Sequence, residues 1–502
     1  MWHVVWFKRD LRCADHAPLA RAAAAGAVLP LYIVEPELWA QPDAGGRQWD
    51  FVRESLVALR AALAVLGLPL VVRSGDVVTV LARLHRQQGI ASIHAHQETG
   101  NDWTFQRDRR VFGWVREQGI ALTEYPGFGV VRRLRSRERW TARWEQVMRA
   151  PDLPLQIASQ PGLPFDAGAI PDWPTPALPA DACRDRQRGG RPEALALLDS
   201  FLAERGRHYT REMSSPLSAA SACSRLSPHL AWGTIGLREL VQRVRTERSG
   251  CADPWRRSLA SFESRLHWHC HFIQKLESEP DIEFRNVHPG FDGLREADFD
   301  ANRFDAWRRG ETGWPFVDAC LRMLETGWIN FRMRAMLVAV SSYHLWLHWR
   351  EPALFLARQF TDYEPGIHFP QVQMQSGVTG INIPRIYNPV QQSHDQDPRG
   401  VFIRRWLPEL RGVPDGFLHT PWLMGQTQQQ AAGCRIGTHY PAPVVDHEIA
   451  AREARNRYLA WRRQPGMQEL AESVLRKHGS RKRSVAVRRP ERSPQSDLFS
   501  PQ

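Results

Sequence analysis

Cysteine is sparse in this chain and patterned for nothing. The seven residues, at 13, 183, 223, 251, 270, 320 and 434, are odd in number and include no C-x-x-C pair, which argues against a disulfide framework and for a reducing compartment. Long apolar runs are missing too. The alanine-rich stretch from Ala22 to Val34 is too short to span a bilayer, and Met1-Trp-His-Val-Val-Trp-Phe7 runs straight into Lys8-Arg9-Asp10 with no secretory core. A soluble, cytoplasmic protein without membrane contact is expected. The common nucleotide signatures also fail: Gly127-Phe-Gly129 lacks a third glycine and follows the wrong kind of element, and no P-loop sequence occurs. No internal repeat of solenoid length is found.

Positive charge, by contrast, is plentiful. The 66 Lys and Arg against 54 Asp and Glu give a formal net charge of +12, which favours a polyanionic partner, most simply nucleic acid. Part of this excess is terminal. Residues 476–492 carry eight Lys and Arg with Glu491 their only acid, and the Ser/Pro-rich ending cannot bury a core. Residues 466–502 therefore read as a disordered basic tail, either solvated or acting as an arm on nucleic acid.

The first 126 residues alternate short apolar runs with helical patterns. His3 to Phe7, Val28 to Val34, Leu70 to Val72, Ala91 to Ala95 and Ala121 to Tyr125 read as strands, with helix-like segments such as Trp49 to Leu66 and Val77 to Gln88 between them. Strands separated by single amphipathic helices predict a Rossmann-like α/β domain with a parallel sheet. Residues 127–190 are rich in proline and read as an interdomain connector. From residue 191 to about 465 the apolar positions recur at three and four residues, as in Leu259 to Leu276, Phe316 to Leu324 and Arg332 to Leu347, which predicts an all-α domain.

The stretch from Gly310 to Leu410 crowds Arg332, Arg334, Asp362 and Glu364 together with Trp314 and Trp328. Buried charges must be paired to survive desolvation, so this pattern suits a large planar ligand with polar edges better than a core built only for packing. His267-Trp-His269-Cys-His271 sets two histidines one helical turn apart, a spacing that could hold a metal. No fourth ligand follows at a telling distance, so a pocket-lining or structural role is favoured. Trp268 on the same helix has polar neighbours and is a candidate for stacking on a base. The small residues of Ser218 to Ser224, ahead of Arg225-Leu-Ser-Pro-His-Leu, would let a diphosphate approach backbone N–H groups, although a plain loop-to-helix junction would look similar.

Together these residues resemble the photolyase/cryptochrome family over about residues 1–460. Val5-Trp6-Phe7-Lys8-Arg9-Asp10-Leu11-Arg12 is similar to the family's opening motif, and Ser224-Arg-Leu-Ser227 resembles its phosphate loop. Gly313-Trp-Pro-Phe-Val-Asp-Ala319 and Thr326-Gly-Trp328 resemble its helical core, and Arg385-Ile-Tyr-Asn-Pro389 with Phe402-Ile-Arg-Arg-Trp406 its closing motifs. The resemblance implies a bent FAD in the helical domain, an antenna chromophore of unknown identity in a cleft between the domains, and UV-damaged DNA as the partner of a monomer. It implies that a reduced FAD, excited by light, passes an electron to a flipped cyclobutane pyrimidine dimer and splits it, so that geometry rather than a strong acid, base or nucleophile is the protein's contribution. A (6-4) photolyase and a cryptochrome photoreceptor without repair are the alternatives.

Carried over by position, the resemblance implies that Tyr209, Ser224, Arg225, Leu226 and Ser227 hold the diphosphate and adenosine. Arg334 and Asp362 lie beside the flavin ring, Glu364 meets its polar edge, and His271, Asn330 and His368 complete the cofactor-binding set. Trp268 becomes the lesion-stacking aromatic, with Arg332 and Glu263 as the other catalytic positions. One branch of the family holds an iron–sulfur cluster, but Cys223, Cys251, Cys270, Cys320 and Cys434 lack clustered spacing and no metal is expected.

The chain departs from the family pattern at four places. The acid expected one turn before Trp268 is Arg265, with Glu263 close by, and Phe331 stands where an asparagine is usual, the amide being shifted to Asn330. The residue facing flavin N5 is open among Gly366, Ile367 and His368. Pro370-Gln-Val372 or Val372-Gln-Met374 replaces the usual W-Q-W, so the first tryptophan of the photoreduction ladder is absent; a path through Tyr363, Tyr387 or other tryptophans is left open.

Overall fold

The computed structural model describes residues 1–480 apart from 159, 182, 184 and 383. Five apolar runs form one parallel sheet: β1 (Trp2–Phe7), β2 (Val28–Val34), β3 (Val71–Ser74), β4 (Ile90–His96) and β5 (Ala121–Tyr125), ordered β3-β2-β1-β4-β5. Every residue of β2 is buried, as a parallel strand covered on both faces requires. One apolar cluster around Phe7, Trp49 and Leu56 covers one face and a second, around Trp6, Val71 and Leu81, covers the other. Asp76 and Asn101 cap the helices Val77–Gln88 and Asp102–Gln118 by accepting from the Thr79 and Thr104 amides. The strand order reverses at β1, so the loops after β1 and β4 part and leave a crevice at their carboxyl ends.

The second domain is helical. Its core gathers around Trp307, Trp314, Met336, Tyr343 and Phe369. The helix Pro365–Ser376 crosses the long helix Trp255–Ser278 at Gly366, where a Cβ would lie 2.8 Å from Ile273 Cα. Only glycine permits so close a crossing. None of the described helices is long and apolar enough to cross a membrane.

Two segments differ from expectation. The connector contains a helix, Trp140–Arg149, which ends just before the first proline of the run at Pro151; its Trp140, Trp144 and Met148 are buried against the helical domain. The basic tail begins with another, Met467–His478, which docks Met467 and Val474 on the main helical core and holds Glu279 with His478 at 2.5 Å. Its apolar spacing outweighs the charge around it. The remainder of the tail, from 481, lies outside the described residues.

Backbone carbonyls of the helical domain are tied to side chains of the first. Arg47 donates to Leu324 O at 3.1 Å and Gln359 O at 2.9 Å, Gln48 to Ala357 O at 2.7 Å, and Arg12 to Gly233 O at 3.0 Å. Gly233 has φ +64° and a Cβ there would lie 2.5 Å from Asp10 Cα. Both the left-handed backbone and the backbone overlap oppose a side chain, so Gly233→Ala is expected to destabilise by more than about 1 kcal/mol. A thermal unfolding scan should show a lower midpoint.

Candidate functional site

Four stretches of the helical domain converge on one buried cradle. The Phe331–Ala339 helix brings Arg334, whose Nη1 donates to Asp362 Oδ1 at 2.9 Å and whose Nε donates to Ile329 O at 2.9 Å. Burial alone would raise the Asp362 carboxyl, but the charge and hydrogen bond of Arg334, with help from the Ser227 hydroxyl, hold it below the usual carboxylate range. Ser227 thereby joins the loop Ser224–Ser227 to the ion pair. In that loop Arg225 takes the left-handed φ of 61°, lies 4.3 Å over the Trp328 ring and donates to Gln187 Oε1 at 3.1 Å. Burial pulls its guanidinium down to about 10.

Tyr209 and Arg265 form the next wall. Tyr209 is buried edge-on against Phe201 and Phe262, and burial pushes its phenol up to about 12 despite the nearby Arg265. Asn330 donates to Met213 O at 3.2 Å and Ser214 O at 2.9 Å, leaving its buried Oδ1 without a partner among the described residues. Leu226 is core, and Ser224 contributes a carbonyl that accepts from Arg205 at 3.3 Å. Trp268 follows Arg265 by one helical turn on the same face and is half-buried, 4.9 Å from the His271 ring and edge-on to it. Arg332 is half-buried near Tyr387 and Arg385 at the same end of its helix, and its neighbour Phe331 is 42% exposed.

Other expected residues are placed apart from this group. Glu263 is corrected outright: it accepts from Arg245 at 2.7 Å and Arg248 at 2.5 Å. Two residues along a helix turn the side chain by about 200°, so a face that carries Arg265 and Trp268 cannot also carry Glu263. His271 is tied to Arg137, whose Nη1 lies 3.1 Å from its Nδ1, and reaches the group only through its edge-on contact with Trp268. Glu364 caps the Pro365–Ser376 helix and lies 3.4 Å from Arg9 at the domain junction, away from the Arg334–Asp362 pair. His267 and His271 flank the Trp140 ring, at 5.0 and 5.9 Å, while His269 turns away onto Phe128. They do not form a ligand set. Among the described residues only Asp10, His16 and His96 bring three ligating groups together, and there both rings already hydrogen-bond one Asp10 oxygen, at 2.9 and 2.7 Å.

His368 packs between Phe360 and Tyr363 and hydrogen-bonds Ala353 O at 2.8 Å. Burial pulls its ring from 6.5 down to about 4. Because the folded value is depressed, the neutral ring costs nothing above 6.5, and stability is lost as the pH falls from there towards 4 while the unfolded chain takes up the proton. His368→Gln is expected to flatten the decline of unfolding free energy in that window by up to about 1.4 kcal/mol per pH unit, read by urea titrations at successive pH values.

A second cleft lies between the domains, at the carboxyl ends of β1, β2 and β4, walled by Trp6, Trp39, Tyr32 and Trp232. Glu35 Oε2 accepts from Arg107 at 2.9 Å, whereas its buried Oε1 has no donor among the described residues. Burial raises this carboxyl to about 7. Sequence reasoning missed Glu35, Gln187 and Tyr363's partner Asp43, because their function depends on contacts between segments far apart in the chain.

The chain matches two family models: DNA photolyase over residues 3–133 and FAD binding domain of DNA photolyase over residues 262–460. A deoxyribodipyrimidine photo-lyase of Streptomyces griseus is 30% identical over 91% of this chain and 99% of its own. The chain belongs to the photolyase/cryptochrome family. Within this photolyase/cryptochrome family it is also 29% identical to a cryptochrome DASH of Gloeobacter violaceus, over 90% of this chain and 95% of that one. The solved structure of a bacterial class III photolyase from Agrobacterium tumefaciens superposes with a TM-score of 0.79 at 26% identity, covering 92% of this chain and 98% of that one. Relatives of both names match over nearly their whole length.

The cradle's own chemistry fits an FAD. Among the described residues neither Arg225 nor Arg265 has a carboxylate within ion-pair reach, so with Arg334 they present excess positive charge against Asp362, as a diphosphate requires. The unpartnered Asn330 oxygen supplies an acceptor in the same place.

Proposed function

We propose that the protein is a light-driven DNA repair flavoprotein that acts on cyclobutane pyrimidine dimers as a monomer in the cytoplasm. The observation that carries this reading is the Arg334–Asp362 ion pair, joined by Ser227 to the loop that bears Arg225, beside a helix that sets Arg265 and half-buried Trp268 one turn apart on one face. Arg225, Ser224 and Ser227 would hold the diphosphate, Tyr209 and Leu226 the adenosine, and Arg334 with Asp362 the flavin ring. When bound, the reduced flavin would supply the electron that light makes available for splitting the dimer.

The rest is positioning. Trp268 offers a π-face to a flipped base, exposed Phe331 widens that apolar surface where an amide was expected, and Arg332 grips the backbone alongside. Flipping costs a few kcal/mol and costs least where a base pair is already damaged, which selects the lesion before any chemistry. In the interdomain cleft, aromatic walls and the unpartnered acceptor Glu35 Oε1 suit a planar antenna ring that carries an N–H.

A cryptochrome photoreceptor is the second reading. It is favoured by the absence of the first ladder tryptophan from the Pro370–Met374 stretch and by Arg265 in place of a lesion-binding acid. Two measurements divide the possibilities. A colourless preparation that cannot be reconstituted with FAD would overturn both readings. With flavin bound, light-dependent loss of (6-4) lesions alone would redirect the substrate, and loss of neither lesion would leave the photoreceptor.

A further inference from the structure

Tyr363 is buried at the boundary of the two domains, and its hydroxyl donates to Asp43 Oδ2 at 2.6 Å. Asp43 belongs to the first domain, is itself buried, and is otherwise held by the Asn101 amide at 3.0 and 3.3 Å. No cation lies within ion-pair distance of this carboxylate among the described residues. The carboxylate is therefore held by hydrogen bonds, with the Arg358 guanidinium near enough to feel its charge but outside ion-pair contact. Burial first, then the charge of Asp43, pushes the Tyr363 phenol far up.

Such a pair is built to lose an electron. Oxidised tyrosine is a strong acid, so in a buried site its oxidation needs a base already in hydrogen-bond contact. Asp43 provides one. Loss of the electron with transfer of the phenolic proton converts a buried anionic pair to a neutral one, so desolvation favours the oxidised state.

Rings connect this pair to the cradle. Tyr363 directly follows Asp362 in the chain and lies 5.2 Å from the His368 ring; His368 lies 5.8 Å from Phe360, and the Arg334 guanidinium sits 4.0 Å over Phe360. Where the resemblance implies the first tryptophan of a photoreduction ladder, the chain has none, whether Pro370-Gln-Val372 or Val372-Gln-Met374 takes the place of W-Q-W.

We infer that Tyr363, with Asp43 as its proton acceptor, is the electron donor that photoreduces the flavin; this rests on the reading of the cradle as an FAD site. One electron passes from Tyr363 to the light-excited oxidised flavin, and the O–H bond breaks as its proton moves to Asp43 Oδ2. A neutral tyrosyl radical and a neutral carboxylic acid remain. A thiol reductant then gives one electron, leaving as a thiyl radical with its own proton lost to solvent, while Asp43 returns the phenolic proton and the starting pair is restored.

The test uses the full chain loaded with FAD, illuminated in the presence of a thiol and frozen for electron paramagnetic resonance. A tyrosyl signal that narrows when the protein carries ring-deuterated tyrosine is expected, absent in Tyr363→Phe. Flavin photoreduction should slow roughly tenfold or more in Tyr363→Phe and in Asp43→Asn, and should slow in heavy water for the wild type alone. Tyr363→Phe keeps the ring packing, and Asp43→Asn gives a second route should one variant fold poorly. A tryptophan radical with equal photoreduction in all three proteins overturns the inference while leaving the FAD reading intact. Failure to bind FAD, seen as absent flavin absorption, overturns both.

Discussion

Asp362→Ala protein is expected to emerge from purification almost colourless and to unfold more readily than the wild type. The substitution leaves the Arg334 guanidinium, 2.9 Å from the lost carboxylate, without its counter-charge. Removing one partner of a buried ion pair costs about 3–5 kcal/mol. If about 3 kcal/mol falls on the cofactor step, flavin binding weakens roughly a hundredfold. The double variant Arg334→Met with Asp362→Leu separates the two effects. Well-packed apolar replacements often restore the stability of a broken buried pair, so this protein should recover most of its resistance to urea while still lacking flavin. The ratio of flavin to protein absorbance reads one quantity, and the urea midpoint the other.

The second large effect is expected at Trp268. Loss of base–aromatic stacking costs about 1–3 kcal/mol, so Trp268→Ala should weaken binding to a duplex carrying a cyclobutane dimer by roughly 5- to 150-fold. Affinity for undamaged duplex should change little, because phosphate contacts carry no lesion information. Trp268→Phe should retain most of the discrimination. Glu263→Ala provides the contrast: its carboxylate is committed to Arg245 and Arg248 on another face of the same helix, so lesion discrimination should survive while the protein loses some stability. Fluorescence anisotropy at one fixed salt concentration checks all three, since ionic strength alone moves protein–DNA affinity by orders of magnitude.

The contrast between Trp268 and Glu263 shows how far the sequence could be read. Periodicity located the helix, which runs Trp255–Ser278 where Leu259 to Leu276 was expected, because an amphipathic pattern is a local property. Strands were legible for the same reason: β5 occupies Ala121–Tyr125 as predicted, and β2 the apolar run Val28–Val34. Direction around a helix is also local, and a helical-wheel reading would already have separated Glu263 from Trp268. Partners were not legible. That Glu364 meets Arg9, that His271 meets Arg137 and that Tyr363 meets Asp43 all depend on how distant segments dock. The helix at Met467–His478 was hidden by its basic composition, although its buried Met467 and Val474 lie seven residues apart, on one helical face.

The repair reaction itself is the most direct test of the account. A duplex with one cyclobutane dimer, mixed with FAD-reconstituted and reduced protein, is exposed to blue or near-ultraviolet light or kept dark, and the dimers remaining are counted. The account predicts that dimers disappear in the light and persist in the dark, and that Asp362→Ala and Trp268→Ala lose most of this activity. Persistence of the dimers in light, with flavin demonstrably bound and reduced, would contradict it.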